Sequence, residues 1–151
     1  MIDIEDFKKS IGKKSRLLGI DPGKKRVGLA ISDEDKLVST PLKTIIKKNN
    51  SDLVKEIKKI IEENNIKGIV VGNPINMDGS KGPSAQSAND FAKYLSNNIS
   101  ISVTMWDERL SSEAAFNLSS NLDINTSKKV EKLDQNAASF ILQGAIDYIR
   151  R

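Results

Sequence analysis

Residues 16–32 read RLLGIDPGKKRVGLAIS. Two apolar stretches flank an Asp-Pro-Gly break, and that arrangement predicts two strands joined by a tight connection. The first strand is expected over Arg16–Ile20, stopped by Pro22 and Gly23. The second is expected over Arg26–Ser32, with Val27, Leu29 and Ile31 on one face and small Gly28 and Ala30 on the other. Charged Asp33–Lys36 makes a turn into a third strand, Leu37–Ile46, interrupted at Pro41. A proline cannot donate to the ladder, so this strand belongs at an edge or carries a bulge. Upstream, residues 1–15 alternate acids and bases and read as a polar leader, a short helix bearing Phe7 and Ile11. Residues 16–151 then form a single domain.

Beyond the three strands the pattern changes to alternation. Leu53, Ile57, Ile60 and Ile61 recur at helical spacing after a candidate cap at Ser51. Gly68-Ile69-Val70-Val71-Gly72 is a short continuous apolar run, as a buried parallel strand requires. A loop from Asn73 to Pro83 leads to a helix that turns Ala85, Ala88, Phe91, Ala92 and Leu95 inward. Ile101–Trp106 is a fifth strand, Ser112–Asn121 a short helix, Leu122–Ser127 a loop, and about Lys129–Arg150 a terminal helix. The order β-β-β-α-β-α-β-α-α implies an α/β fold with a mixed five-stranded sheet and helices on both faces. It is compatible with the RNase H-like fold. A Rossmann sheet would alternate from the start.

Composition narrows the chemistry. The chain has 151 residues, 38% hydrophobic and 29% charged, without a cysteine or a histidine. This excludes disulfides, zinc clusters, thiol nucleophiles and the commonest general base. Carboxylates, lysines and hydroxyls remain, and oxygen ligands select Mg²⁺ or Mn²⁺. The net charge of +4 leans toward polyanions such as nucleic acid, although a lysine-rich composition alone has the same effect. No apolar run approaches a membrane span, and residues 1–16 lack the apolar stretch of a signal peptide, so a cytoplasmic protein is expected.

Four acids stand out by position. Asp21 closes the first strand beside a glycine, a good ligand position, although on spacing alone an aspartate that starts a Pro-Gly turn is the commoner reading. Asp107 and Glu108 end the fifth strand, and alternation means that one of them faces a site next to Asp21. Asp134 precedes Ala138, Ile141, Ala145 and Tyr148 at steps of 4, 3, 4 and 3, which puts it on the sheet-facing stripe of the terminal helix. The helix dipole is the competing explanation for an acid there. Converging carboxylates repel one another unless a cation or a raised pKa relieves them. Two Mg²⁺ ions in such a cluster would serve phosphodiester hydrolysis. Candidate phosphate contacts are Lys24, Lys25 and Arg26 after Asp21, and Asn76, Gly79, Ser80 and Lys81 in the glycine-containing loop, with Arg109 beside Glu108. That loop lacks P-loop spacing.

Four blocks, in order, are similar to the YqgF family, also called the RuvX or Holliday-junction-resolvase-like family. They are Leu18-Gly19-Ile20-Asp21-Pro22-Gly23 with Lys25-Arg26-Val27-Gly28; Val70-Val71-Gly72-Asn73-Pro74-Ile75-Asn76-Met77-Asp78-Gly79-Ser80; Asp107-Glu108-Arg109-Leu110-Ser111-Ser112; and Lys132-Leu133-Asp134-Gln135-Asn136-Ala137-Ala138 with Ile141-Leu142-Gln143-Gly144. The resemblance implies an RNase H-like nuclease that trims the 5′ end of pre-16S rRNA in ribosome biogenesis, or resolves four-way DNA junctions. It implies Asp21, Glu108 and Asp134 as metal-binding catalytic acids, with Asp107 as the alternative to Glu108. The strand Gly68–Gly72 carries no carboxylate where RuvC-like enzymes have one, so a strand-five acid must substitute. Lys24 stands where the family often has threonine.

The expected partners are precursor rRNA or branched DNA, with ribosomal particles, in a monomer or homodimer. A junction resolvase would act as a dimer, because its substrate has two symmetric scissile strands. A non-catalytic RNA-binding assembly module is the reading from another class. An actin–hexokinase-type phosphotransferase would need two lobes around ATP, for which this chain is too short.

Overall fold

The computed structural model describes residues 1–74, 79, 82–108 and 126–151, with side chains in the last stretch from 134 onward. The expected helix at 112–121 and the residues Asn76, Ser80, Lys81 and Arg109 lie outside the described residues. The elements are α1 (Ile4–Ser10), β1 (Arg16–Asp21), β2 (Arg26–Ser32), β3 (Ser39–Ile46), α2 (Asn50–Asn64), β4 (Ile66–Asn73), α3 (Pro83–Asn98), β5 (Ser102–Asp107) and α4 (Thr126–Ile149).

The five strands form one sheet in the order β3-β2-β1-β4-β5. β1–β2 and β2–β3 pair antiparallel, whereas β4 lies parallel to both β1 and β5. This is the mixed sheet of an RNase H-like fold. β3 lies at an edge, and its register with β2 shifts between Leu29 and Ala30, where Ala30 pairs with Pro41. The proline thus sits at an irregularity of an edge strand, where its missing N–H costs least.

Alternation along the strands divides the core in two. Leu18, Ile20, Val27, Leu29, Ile69, Val71 and Val103 meet Leu53, Ile57, Phe91 and Leu95 of α2 and α3 on one face. Leu17, Ala30, Val70 and Trp106 meet α1 and the Ala138, Ile141, Leu142, Ala145 and Ile146 stripe of α4 on the other. Residues 1–15 share this core: Phe7 is fully buried, and Ile2 donates its N–H to the Val103 carbonyl at the β5 edge.

The α2 cap is Asn49, not Ser51. Asn49 is extended and its side chain accepts from the Asp52 N–H at 2.8 Å, so the helix begins one residue earlier than Ser51. β3 begins at Ser39 rather than Leu37, because the Asp33 carboxylate takes the Leu37 and Val38 N–H groups into the turn. β1 and β5 each run one residue further than expected, so both Asp21 and Asp107 end on the ladder.

Candidate active site

Where β1 ends, the chain needs a residue that can lie both on a ladder and beside solvent, and Asp21 fills that place. Its Cα partner is Gly28 of β2. Gly19 and Asp21 are two apart, so both face α4. The helix approaches there so closely that a Cβ on Gly28 would lie 2.0 Å from the Asp134 backbone carbonyl oxygen. Glycine at 28 is therefore what allows the start of the described α4 side chains to sit over the rim of the sheet. Gln143 holds the helix in place from the other end, its Oε1 accepting from the Ser39 N–H at 2.8 Å.

Glu108 arrives from β5. Trp106 packs in the α4-side core and meets Tyr148 with ring centroids 5.6 Å apart, which anchors the strand end. Alternation then sends Asp107 to the α2–α3 face, in register with Asn73. Glu108, just past the ladder, turns back over β4. A Cβ on Gly72 would lie 2.6 Å from Glu108 Oε1 and 2.6 Å from Ile141 Cδ1. The strand-four position without a carboxylate is thus the space that the Glu108 carboxylate occupies. Of the adjacent acids, Glu108 is the one that reaches Asp21.

The Asp21 and Glu108 carboxyls lie within side-chain hydrogen-bond reach of each other, and both are pushed above the usual carboxylate range. Burial, and then the Glu108 charge, its hydrogen bond and the Asp134 charge, push the Asp21 pKa up to about 8. Glu108 is also raised, by burial and by the nearby Asp107 charge, while the bond from Asp21 works the other way. Carboxyls brought this close push one another's pKa up, and a positive charge beside them would relieve the repulsion.

Asp134 stands close enough for Asp21 to feel its charge, but its Oδ2 accepts from Arg26 Nε at 2.9 Å. Arg26 is on β2 two residues before Gly28, so it shares the α4 face with its partner. Among the described residues, no three acids as they lie close a cage around a cation. Asp21 and Glu108 adjoin, and Asp134 is held alongside by the Arg26 guanidinium. The donor set fits a hard divalent cation all the same: all oxygens, partly buried, and close enough to repel one another.

Of the expected phosphate contacts, Lys24 and Lys25 are exposed in the connection after Asp21, and Gly79 is exposed with φ 90°. The Lys24 side of that connection borders a cavity on the α3 face rather than the acids. Lys47, which lines the same cavity, was not among the expected residues. It lies about twenty residues downstream, where no local pattern marks it.

A family model described as RuvX, Holliday junction resolvase, matches residues 15–148. A Pelagibacter ubique protein named "Putative pre-16S rRNA nuclease" is 58% identical over 149 residues, covering 99% of each chain. One of the same name from Ruegeria pomeroyi is 42% identical over 147 residues, covering 97% of this chain and 96% of its own. Among solved structures, Thermus thermophilus RuvC in complex with a Holliday junction substrate aligns with TM-score 0.52 at 11% identity, covering 89% and 94% of the two chains. The yeast mitochondrial Holliday junction resolvase aligns with TM-score 0.54 at 13% identity, covering 97% and 84%. At such identities these two structures speak for the RNase H-like fold alone.

Proposed function

The chain belongs to the RuvX family, and from that premise we propose that it is a divalent-metal-dependent nuclease that processes the 5′ end of pre-16S rRNA. The observation that supports this most is the convergence of the Asp21 and Glu108 carboxyls at the sheet rim, with Asp134 alongside. The name of the 58% identical relative favours an RNA precursor as substrate.

Asp21, Glu108 and Asp134 would hold Mg²⁺ or Mn²⁺, which supplies Lewis acidity toward a phosphodiester and activates water. The roles of the chain's own groups follow from their geometry. Asp21 would lose its proton to solvent when a cation binds, so that its carboxylate and that of Glu108 could both hold the ion. Arg26, now held on Asp134, would be free to take a phosphate oxygen once Asp134 holds the ion, a use its planar fork suits. Lys24 and Lys25 would hold the backbone of the strand, and Gly79 would contact phosphate; Asn76, Ser80, Lys81 and Arg109, outside the described residues, are proposed from the sequence alone as further substrate contacts. Asp107 faces the other side of the sheet and serves as an electrostatic neighbour of Glu108.

One RNA strand needs one such centre, so a monomer suffices. A four-way junction would need two, related by a dyad. No helix among the described residues is long and apolar enough to cross a membrane, which accords with work in the cytoplasm on ribosomal particles. The test is a side-by-side cleavage assay on a pre-16S 5′ leader and on a four-way DNA junction, with Mg²⁺ or Mn²⁺. Cleavage of the RNA, lost in a folded Asp21→Asn protein, is expected. Cleavage of the junction alone would transfer the assignment to resolution. Binding of RNA without cleavage across metals would reduce the protein to an assembly factor.

A further inference from the structure

A cavity of about 240 Å³ opens beside the acidic rim, on the opposite face of the sheet. Its floor is apolar, made by Val27, Leu53 and Phe91, each of them buried. Its lips are polar: Lys24 and Lys47 on one side, Ser84 and Ser87 of α3 on the other. Among the described residues neither lysine is paired with a carboxylate, and the Lys47 ammonium lies 5.8 Å from the Phe91 ring centroid. The lips are fixed to the rim. Lys47 N–H donates to the Lys25 carbonyl at 2.8 Å, and a Cβ on Gly23 would lie 2.3 Å from the Arg26 carbonyl oxygen, so the connection between Asp21 and Arg26 is a closed, tight turn.

An apolar floor under a cationic lip matches the two halves of a nucleotide, a base and a phosphate. The volume is below the roughly 300–1,000 Å³ of pockets that enclose drug-sized ligands, which limits the occupant to a single unit of a strand. The turn that carries Asp21 on one side carries Lys24 on the other, so a strand crossing it reaches both. We infer that this cavity receives one unstacked nucleotide of the RNA strand flanking the scissile phosphate, its base against Leu53 and Phe91 and its phosphate between Lys24, Lys47 and Ser84. The inference rests on the nuclease reading for its substrate, but not on catalysis for its test.

The test measures binding of a labelled single-stranded RNA by anisotropy to the Asp21→Asn protein without added metal, so that cleavage does not enter the reading. Ser87→Trp fills the cavity from an exposed helix position, and Lys47→Ala removes a lip charge; each is expected to weaken binding at least fivefold. Lys58→Ala, which removes a charge from the exposed side of α2, is expected to change it less than twofold. Replacing Lys24 and Lys47 together is expected to reduce the slope of log affinity on log salt by about 0.7 per lysine. Unchanged affinity in folded Ser87→Trp and Lys47→Ala proteins would overturn the pocket, whether or not the wild type cuts RNA. Pocket-dependent binding with no cleavage by the wild type would defeat the nuclease reading and leave the pocket standing.

Discussion

At the scale of single residues, the site is made by what is absent as much as by what is present. Gly28 and Gly72 leave the volumes into which the α4 backbone and the Glu108 carboxyl move. An alanine at 28 would meet a backbone carbonyl that cannot rotate away, so Gly28→Ala is expected to destabilise by about 3 kcal/mol, the upper range of overpacking. The gain of less than about 1 kcal/mol from a stiffer unfolded chain does not offset it. Gly72→Ala meets the far ends of two side chains, which can yield. We expect a loss of only ~1 kcal/mol in urea unfolding, with a larger fall in cleavage rate because Glu108 is displaced. Arg26→Gln frees Asp134, and in the absence of RNA this should tighten Mn²⁺ two- to fivefold, from a partly exposed pair worth roughly 0.5–1 kcal/mol. The same change should raise KM for RNA. These pairings were not legible in the sequence. Arg26 and Asp134 are 108 positions apart, and the choice between Asp107 and Glu108 depends on which sheet face the last ladder residue takes.

At the scale of elements, periodicity carried most of the fold. Alternation in 26–32 separated Val27, Leu29 and Ile31 from Gly28 and Ala30, and those sets now face different helices, apart from half-buried Ile31 at the margin of its core. The edge position of β3 followed from Pro41. The exceptions have local causes. Asn49 outcompetes Ser51 as a cap because its extended backbone places its side-chain Oδ1 to accept from the Asp52 N–H. The polar leader gave no sign of how deeply it packs, since two apolar residues among charges form no long stripe. Phe7 nevertheless fills the space above Gly68, where a Cβ would lie 2.7 Å from its ring. Phe7→Ala should therefore cost about 3–5 kcal/mol in unfolding free energy, and a chain begun at Arg16 should be correspondingly unstable. Wild-type stability in that shortened chain would show the helix to be dispensable.

For the whole molecule, the acidic rim links stability, pH and cations. The folded chain retains the Asp21 proton up to about pH 8, whereas the unfolded chain releases it near 4. Between those values the folded state binds more protons, so stability falls as pH rises. The contribution is complete below pH 4 and lost as pH passes 8. Urea midpoints in EDTA should decline across that window, more gently in Asp21→Asn, which should be the more stable of the two above pH 8 while inactive. Converging carboxyls of this kind cost stability, which a cation bound among them would return.

The most direct test is to count protons released when Mn²⁺ binds, by calorimetry at pH 7 in buffers of different ionisation enthalpy. With Asp21 protonated at that pH, close to one proton per protein should leave on binding, and Asp21→Asn and Glu108→Gln should both bind weakly with no such release. Tight binding without proton release, or binding unchanged by either substitution, would place the cation elsewhere and contradict a cage formed by these carboxyls.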